Sequence, residues 1–536
     1  MSGDVFGIDL GTTYSAVAKI NDLDQAEVLK NASGSDTTPS VLFFEPGGNV
    51  IVGAEAKSEI IASPDDGCSL IKRHVGTTHP LEYFGTTYTP ESLSALILKE
   101  MVNAANAEGA TNIAKAVITV PAYFGVREKE ATKQAGEIAG LEVVGIIAEP
   151  IAAALSVGVR GEKKETLLVY DLGGGTFDTT VMIAEPGNVE VVAVDGNRVL
   201  GGADWDSELA QLVVKRFVEQ AGITDADPAE DPDFMTELLQ LVEDKKISLT
   251  KRSETTVRCR FEDYDEKIVI TVADFEAVTA HLISQTVDIA ERTVATAQQI
   301  KPGLQIDRVI LVGGSSRMPM VDRALRAKGW DPVPTEFDLA VAKGAAIYGQ
   351  ALLSGAVPFD ASGEAGSSDS VGDVPVNAEP KYFLGGASTL NIKNVLSRGI
   401  GVKFVKQDAA QTPYIGFMVH ANDALPIVDE VLQAGTVVDN QSQVNVALFE
   451  QGGEVESEEI EANTLLKDAD ITGLPPLPRG STIELVLNVN NEGLIRLSAR
   501  EPQSGKELEI EARISVLEEK EVELAKEIVS GLMTRS

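Results

Sequence analysis

The residues of this chain best suited to chemistry lie in two short turns that combine an aspartate with glycines and threonines. Val5 to Ile20 runs as an apolar strand into Asp9-Leu10-Gly11-Thr12-Thr13 and leaves through a second alternating strand. Leu167 to Ile183 repeats the arrangement around Asp171-Leu172-Gly173-Gly174-Gly175-Thr176. Apolar strand, Gly-rich turn, apolar strand is the pattern of a β-hairpin. Glycine lets turn N–H groups approach an anion with no Cβ in the way, and consecutive turn amides form a concave anion nest. Thr12, Thr13 and Thr176 add hydroxyl donors. Asp9 and Asp171 would repel a phosphate but suit a hydrated divalent cation, since Mg²⁺ keeps most of its waters and takes one or two carboxylates. One such turn reads most simply as an ordinary tight hairpin. Two copies in matching strand contexts read as a duplicated phosphate-binding fold that clamps a Mg-nucleotide.

The elements that must hold these turns alternate between strand and helix from Val5 to about Gly349. Thr89 to Asn106 carries Leu93, Leu96, Ile97 and Met101 at helical spacing. Ala116 to Val120 reads as a buried strand ending at Pro121, Glu128 to Ala139 as a helix, and Leu141 to Ile147 as the next strand. Glu149-Pro150 then opens the small-residue run Ile151 to Ser156. Such alternation implies an α/β architecture with layered sheets. Beyond the second turn, Leu200-Gly201-Gly202-Ala203-Asp204 precedes a long helix. Phe234 to Thr250 forms another helix and places Glu243, Lys246 and Thr250 on one face. Taken alone, that trio is an exposed ion-paired face. Val309 to Pro319 is a buried strand running into a Gly-Gly-Ser turn, where the planar guanidinium of Arg317 could stack on a flat ring. Asp338 to Gly349 is a small-residue helix able to pack closely.

Composition narrows the class. At 536 residues the chain is too long for one core and predicts about two to four domains. A formal charge of −37 argues against nucleic acid or an anionic membrane as partner and against self-assembly, so a monomer is expected. Cys68 and Cys259 show no CxxC spacing, which implies a reducing compartment and no zinc site. The N-terminus runs straight into a strand and no 18-residue apolar run follows, so a cytoplasmic protein is expected.

Residues 1–354 therefore form the α/β unit, and 355–390 an acidic, Gly/Ser-rich linker without period. Residues 391–515 alternate as short strands, for example Ile400, Val402 and Phe404, then Val444, Val446 and Leu448, then Ile483, Leu485 and Leu487, which suggests a sandwich. Ser515 to Met533 reads as one amphipathic helix with Val522, Ala525, Ile528, Val529 and Leu532 on a shared face, so 516–536 is a single C-terminal helix.

Several long motifs, in order, resemble the heat-shock 70-kDa (DnaK-type) chaperone family. They are Gly7-Ile8-Asp9-Leu10-Gly11-Thr12-Thr13, Val117 to Phe124, Glu149 to Leu155, Asp171 to Asp178, and Gly313-Gly314-Ser315-Ser316-Arg317-Met318-Pro319. Gly473 to Gly480 and Ser504 to Glu507 resemble that family's β-sandwich. The resemblance implies an α/β actin-like nucleotide-binding domain of two lobes, then an all-β sandwich that binds extended apolar peptide or unfolded protein by backbone hydrogen bonds. It implies ATP or ADP with Mg²⁺ in the cleft. By matching position, Thr12, Thr13, Gly173, Gly174, Gly175 and Thr176 hold phosphates, Gly11 and Tyr14 also contact the nucleotide, and Asp9 and Asp171 hold the Mg²⁺ waters. Gly201, Gly202, Glu243, Lys246, Thr250, Gly313, Gly314, Ser315, Arg317 and Asp338 frame ribose and adenine. Lys72 matches the lysine that contacts γ-phosphate and attacking water, with Glu149, Asp178 and Thr176 beside it. Pro121 matches a hinge proline that relays nucleotide state. Phe404, Val444 and Val446 are candidates for the peptide pocket, and plain sandwich core is their bland reading. A J-domain co-chaperone and a nucleotide exchange factor are the family's partners.

The sequence departs from the family pattern in three places. A helical lid of about a hundred residues normally follows the sandwich; one short helix stands here, so bound peptide should leave quickly. The family's Leu-rich linker ending in Asp is replaced by Leu390-Asn391-Ile392-Lys393-Asn394, which predicts weak coupling between the two sites. Gly145 and Ala148 stand where relatives carry groups tied to J-domain and interdomain contacts. Two alternatives stay open beside a chaperone-like ATPase: a small-molecule kinase of the same fold, and an actin-like scaffold for a dedicated partner.

Overall fold

The computed structural model describes residues 4–536 except 110, 158–163, 225, 356–389, 407–410, 454, 492, 494, 503 and 513–515. Of the expected linker 355–390, all but Gly355 and Leu390 lie outside the described residues.

Each Asp-Leu-Gly hairpin sits at the centre of a six-stranded sheet. In the first, Phe6–Asp9 pairs antiparallel with Tyr14–Ile20 and parallel with Lys115–Val120, beyond which lies Glu142–Ala148. In the second, Glu165–Leu172 pairs antiparallel with Phe177–Glu185 and parallel with Arg308–Val312. The same neighbours in the same orientations make the duplication a fact of topology. Strands covered on both faces need continuous apolar runs, and Phe6, Ile8, Leu168, Tyr170 and Leu172 are all buried in the two lobe cores. The small-residue helices Glu149–Val157 and Ala340–Leu353 pack together between the sheets, as their composition suggested.

The β-rich segment forms two four-stranded sheets, ordered Pro413–Val419, Ile400–Val405, Val444–Gln451, Asn463–Ile471 and Ile427–Gly435, Thr482–Val489, Ile495–Glu501, Lys506–Ala512. Val402, Leu448, Leu485, Leu487 and Leu497 share the core between them.

Asn391–Lys393 adds in parallel to the edge of Asn188–Asn197, pairing Val189 with Ile392 and Glu190 with Lys393. Backbone pairing is indifferent to the lost leucine, and Leu390 is fully buried against the second lobe. The last helix is shorter than read, Glu519–Gly531, and Met533–Arg535 turns into a strand paired in parallel with Asn49–Val52. Its Val522, Ala525 and Val529 are buried in the core of the first lobe, against helices Pro90–Glu108 and Val126–Ile138. Its shared apolar face was legible; what that face covers was not. Among the described residues no helix is long and apolar enough to cross a membrane.

Candidate nucleotide site

The two Gly turns face each other so closely that side chains are excluded. A Cβ on Gly174 would stand 2.0 Å from Thr13 Oγ1, and one on Gly175 2.2 Å from Thr12 Cγ2. The second turn is closed by the Gly173 N–H donating to Thr176 O at 3.0 Å. The helix Gly202–Ala221 is stitched beneath it by the Gly202 and Ala203 N–H groups donating to Gly173 O and Gly174 O at 3.0 and 2.7 Å. In the first turn the Gly11 N–H donates to Ser15 Oγ at 3.0 Å. Between the turns lies a cavity of about 430 Å³, within the range that holds a nucleotide-sized ligand.

The floor of this cavity is a charge cluster. Lys72 and Glu149 are both buried and pair at 2.6 Å. Lys72 is delivered by the short helical turn Ile71–His74, entered through Leu70 at φ 57, a left-handed backbone that a branched residue adopts only where its surroundings enforce it. Asp171 and Asp178 are buried, and Asp9 accepts a hydrogen bond from Thr119 Oγ1 at 3.0 Å. Burial, then the charge of Glu149, pushes the Asp9 carboxyl up to about 7. The same causes, with Asp9 added, raise Asp171 well above the usual carboxylate range. Asp178 is raised by burial, Glu149 and Asp171, against the Tyr123 N–H that donates to it at 3.3 Å. Burial would lower Lys72, but Glu149, Asp9 and Asp171 outweigh it and hold the ammonium charged.

Asp9, Glu149, Asp171 and Asp178 thus surround one cation with four carboxylates, and the surplus negative charge calls for a cation in front of them. Among the described residues no group of three or more His, Cys, Asp or Glu side chains is placed to ligate a metal directly. Two carboxylates facing a cavity fit a Mg²⁺ held through its waters.

The far end of the cavity is arranged differently. Lys246 Nζ donates to Gly202 O at 2.8 Å and pairs with Asp206 at 2.7 Å. Burial raises Asp206 to about 6 despite that lysine. Arg317 lies over the Phe337 ring at 4.5 Å and pairs with Asp338 at 2.6 Å, so its guanidinium plane is set beside the cavity. Glu243 closes the mouth by pairing with Lys57 from the opposite lobe and accepting from Tyr14 Oη at 3.4 Å.

Of the residues singled out in sequence, Asp9, Gly11, Thr12, Thr13, Tyr14 and Lys72 line the cavity from the first lobe, together with Glu149. Asp171, Gly173, Gly174, Thr176 and Gly202 line it from the second turn and its helix, and Glu243, Lys246 and Thr250 from one helix face. Gly313, Gly314, Ser315, Arg317 and Asp338 close the far wall. Gly175, Gly201 and Asp178 stand one layer behind: a Cβ on Gly201 would lie 2.5 Å from the Gly175 carbonyl carbon. Pro121 is buried at the end of Lys115–Val120, and its carbonyl accepts from the Phe124 N–H at 3.1 Å. In the sandwich, Val446 is buried in the core, while Phe404 and Val444 are half-buried at its edge.

Sequence reasoning missed Arg73, Lys57, Asp206 and Phe337. Arg73 ties the lobes together, donating from Nε to Gly175 O at 2.9 Å and pairing with Asp204 at 2.9 Å. Its only signal was its place beside Lys72. Asp206 and Lys57 meet partners 40 and 186 residues away, which no local pattern reports.

A cleft between duplicated α/β lobes, with facing Gly turns and an acidic floor, joined to a β-sandwich, defines a two-lobed α/β protein with an appended β-domain. The family model described as Hsp70 protein matches residues 5–361 and 395–530. The Chaperone protein DnaK of Halobacterium salinarum is 36% identical over 514 residues, 94% of this chain and 74% of that protein. Those of Thermotoga petrophila and Thermosipho africanus are 36% and 34% identical over 94% of this chain and 79% of theirs. The chain belongs to the Hsp70 family, a family of chaperone ATPases built from an actin-like nucleotide-binding domain and a β-sandwich substrate domain.

Proposed function

We propose that this chain binds ATP with Mg²⁺, hydrolyses it to ADP and phosphate, and binds extended polypeptide in residues 391–515. The observation that carries the reading is Lys72, a buried ammonium set among four carboxylates at the floor of a cleft between two Gly turns. Asp9 and Asp171 would hold the Mg²⁺ waters. The ion, when bound, offsets phosphate charge. The backbone N–H groups and hydroxyls of the two turns orient the phosphates. Lys72, kept charged by its neighbours, stabilises the charge that spreads over the equatorial oxygens of a loose phosphoryl-transfer transition state. Glu149, fixed by its pair with Lys72, and Thr176 position the attacking water. Arg317, braced on Phe337 and Asp338, offers a flat face to the base.

The linker strand paired on the second lobe supports coupling between the nucleotide and peptide sites over the weak-coupling alternative. Helix Glu519–Gly531 is buried against the first lobe, so this helix does not itself serve as a lid on the sandwich. An exchange factor and a J-domain protein are the partners this reading implies. A side chain at Gly145 would press on Leu352 Cδ1 at 3.0 Å, so a J-domain contact made from that position is the one expected to be lost.

The test is single-turnover ATP hydrolysis by the full chain, with and without extended apolar peptides. Acceleration of several-fold by peptide supports a coupled chaperone. Hydrolysis that ignores peptide separates the two sites, and no hydrolysis leaves a nucleotide-locked scaffold.

A further inference from the structure

Two imidazoles lie face to face beside the turn that carries Lys72. His74 ends the short helical turn Ile71–His74, and its ring stacks on that of His79 with centroids 3.8 Å apart and planes 11° from parallel. Both residues are half-buried. Thr77 closes the chain between them, donating from its N–H and Oγ1 to His74 O at 3.0 and 2.7 Å. The second lobe meets this corner of the first with a cation. Arg198 lies between strand Asn188–Asn197 and helix Gly202–Ala221 and donates to Arg73 O at 3.2 Å. Positive groups therefore surround His74: Arg73 before it, Arg198 from the opposite lobe and His79 over its ring. The carboxylates packed nearby have other partners. Asp204 pairs with Arg73, Glu128 stands 3.5 Å from both Arg198 and Arg398, and Glu91 accepts from the Gly76 N–H at 3.1 Å. Burial, then His79, Arg198 and Arg73, hold the His74 imidazole below its usual 6.5. A neutral aromatic ring can stack on a cation, so the stack alone does not oppose a proton; the guanidiniums beside it do.

We propose that the His74–His79 pair is an acid-sensitive latch between the two lobes, closed while both rings are neutral and opened when an imidazolium forms opposite Arg198. Histidine is the side chain whose charge changes near neutral pH, and a like charge brought against a cation opposes the contact that holds them together. The closed form binds this proton less tightly than the open one. The latch therefore contributes fully above the usual value of 6.5, and its contribution is lost as pH falls below it. The same interface holds Arg73, which donates to Gly175 O at 2.9 Å and pairs with Asp204. Opening it loosens the second Gly turn, so bound nucleotide leaves faster in acid. That consequence rests on the reading of the cleft as a nucleotide site, whereas the titration of the pair does not.

The experiment uses the full chain. It has 4 histidines, His74, His79, His281 and His420, so each imidazole Cε1–H signal can be assigned by single substitution and followed by NMR through the range in which histidine titrates. His74 is expected to titrate below 6.5, and Arg198→Ala is expected to raise its midpoint. A midpoint that Arg198→Ala leaves unmoved overturns the latch. Release of a fluorescent ADP is then timed on either side of pH 6.5 in the unaltered chain and in His74→Phe with His79→Phe, which keeps two rings to stack and takes no proton. In acid the unaltered chain is expected to release ADP about two- to fivefold faster than the double variant, the size of one partly exposed charge contact. On the alkaline side the two are expected to agree. Equal acceleration by acid in both proteins overturns the latch, because the titrating carboxylates of the cleft are common to them. Should the double variant not fold, His74→Phe alone removes the ring that faces Arg198, and the same equality overturns the proposal. A chain that binds no ADP fails the nucleotide reading, and the Arg198→Ala titration then decides the latch.

Discussion

Two buried charge clusters lie within one chain, and they are balanced in opposite ways. At the cleft floor, Lys72 is outnumbered by Asp9, Glu149, Asp171 and Asp178, and the surplus faces a cavity. At the joint between lobe and sandwich, Glu128 and Glu450 are buried beside Arg198, Arg398 and Lys129. There Arg198 and Arg398 both stand 3.5 Å from Glu128, and Glu450 occupies the N-terminus of helix Val126–Ile138. A Cβ on Gly125 would meet both Glu450 oxygens at 2.4 Å, so this carboxylate reaches the helix end only because glycine precedes it. Uncompensated charge beside an open space marks a place for a ligand, whereas charge answered within the protein marks a joint.

The largest effect that would break this contrast lies at Lys72. Lys72→Ala should lower single-turnover ATP hydrolysis by about 10²–10³-fold, the range for losing one preorganised charge in a water-poor site, while nucleotide still binds. Hydrolysis at an unaltered rate would show that the surplus charge is not catalytic machinery. Next in size, withdrawing Mg²⁺ with a chelator should weaken ATP binding by at least about tenfold, and Asp171→Asn should reduce the chain's response to added Mg²⁺. A calorimetric titration that reads the same ATP affinity with and without the ion would contradict the fit of Asp9 and Asp171.

The joint should respond to pH instead. Burial, then the charge of Glu128, raises the Glu450 carboxyl from 4.5 to about 7. The docked state thus binds this proton more tightly than the undocked one. Its contribution is full below the unfolded value near 4.5 and is lost as pH rises through about 7. Glu450→Gln should flatten that loss and raise the melting temperature at pH 8 by about 1 °C, as about 1 kcal/mol would in a protein of 536 residues. An unchanged melting profile between pH 6 and 8 in both proteins would remove Glu450 from the joint's energetics. The smallest effect is at the base end of the cleft. Phe337→Ala removes the ring beneath Arg317 and should weaken ATP binding about two- to fivefold, in line with an exposed cation–π contact. Measured affinity for ATP and for a second nucleoside triphosphate would sharpen this, since a loss confined to ATP assigns Phe337 to base recognition.

Much of this was already legible in local patterns. Asp9-Leu10-Gly11 and Asp171-Leu172-Gly173, the strand runs around them, and the helix face bearing Glu243, Lys246 and Thr250 all end at one cavity. These signals survive because glycine turns and periodic apolar runs act over a few residues, where chain geometry decides the outcome. The residues that escaped notice share the opposite property. Lys57 reaches Glu243 and Arg73 reaches Asp204 only because two lobes close on each other, and Asp206 reaches Lys246 only because helix Gly202–Ala221 packs on helix Pro232–Leu249.

The sequence by itself determined the duplicated turns, the sandwich strands and the apolar face of the last helix, because each follows from periodicity and turn chemistry. The tertiary structure alone decided where that face is buried, how the linker pairs and which charges meet. Amphipathicity says that a surface must be covered but not by what, and a backbone strand edge accepts any extended partner whatever its side chains. Leu390 and Val529 are therefore ordinary apolar residues in the sequence, and in the fold they anchor the two ends of the sandwich to the nucleotide lobes.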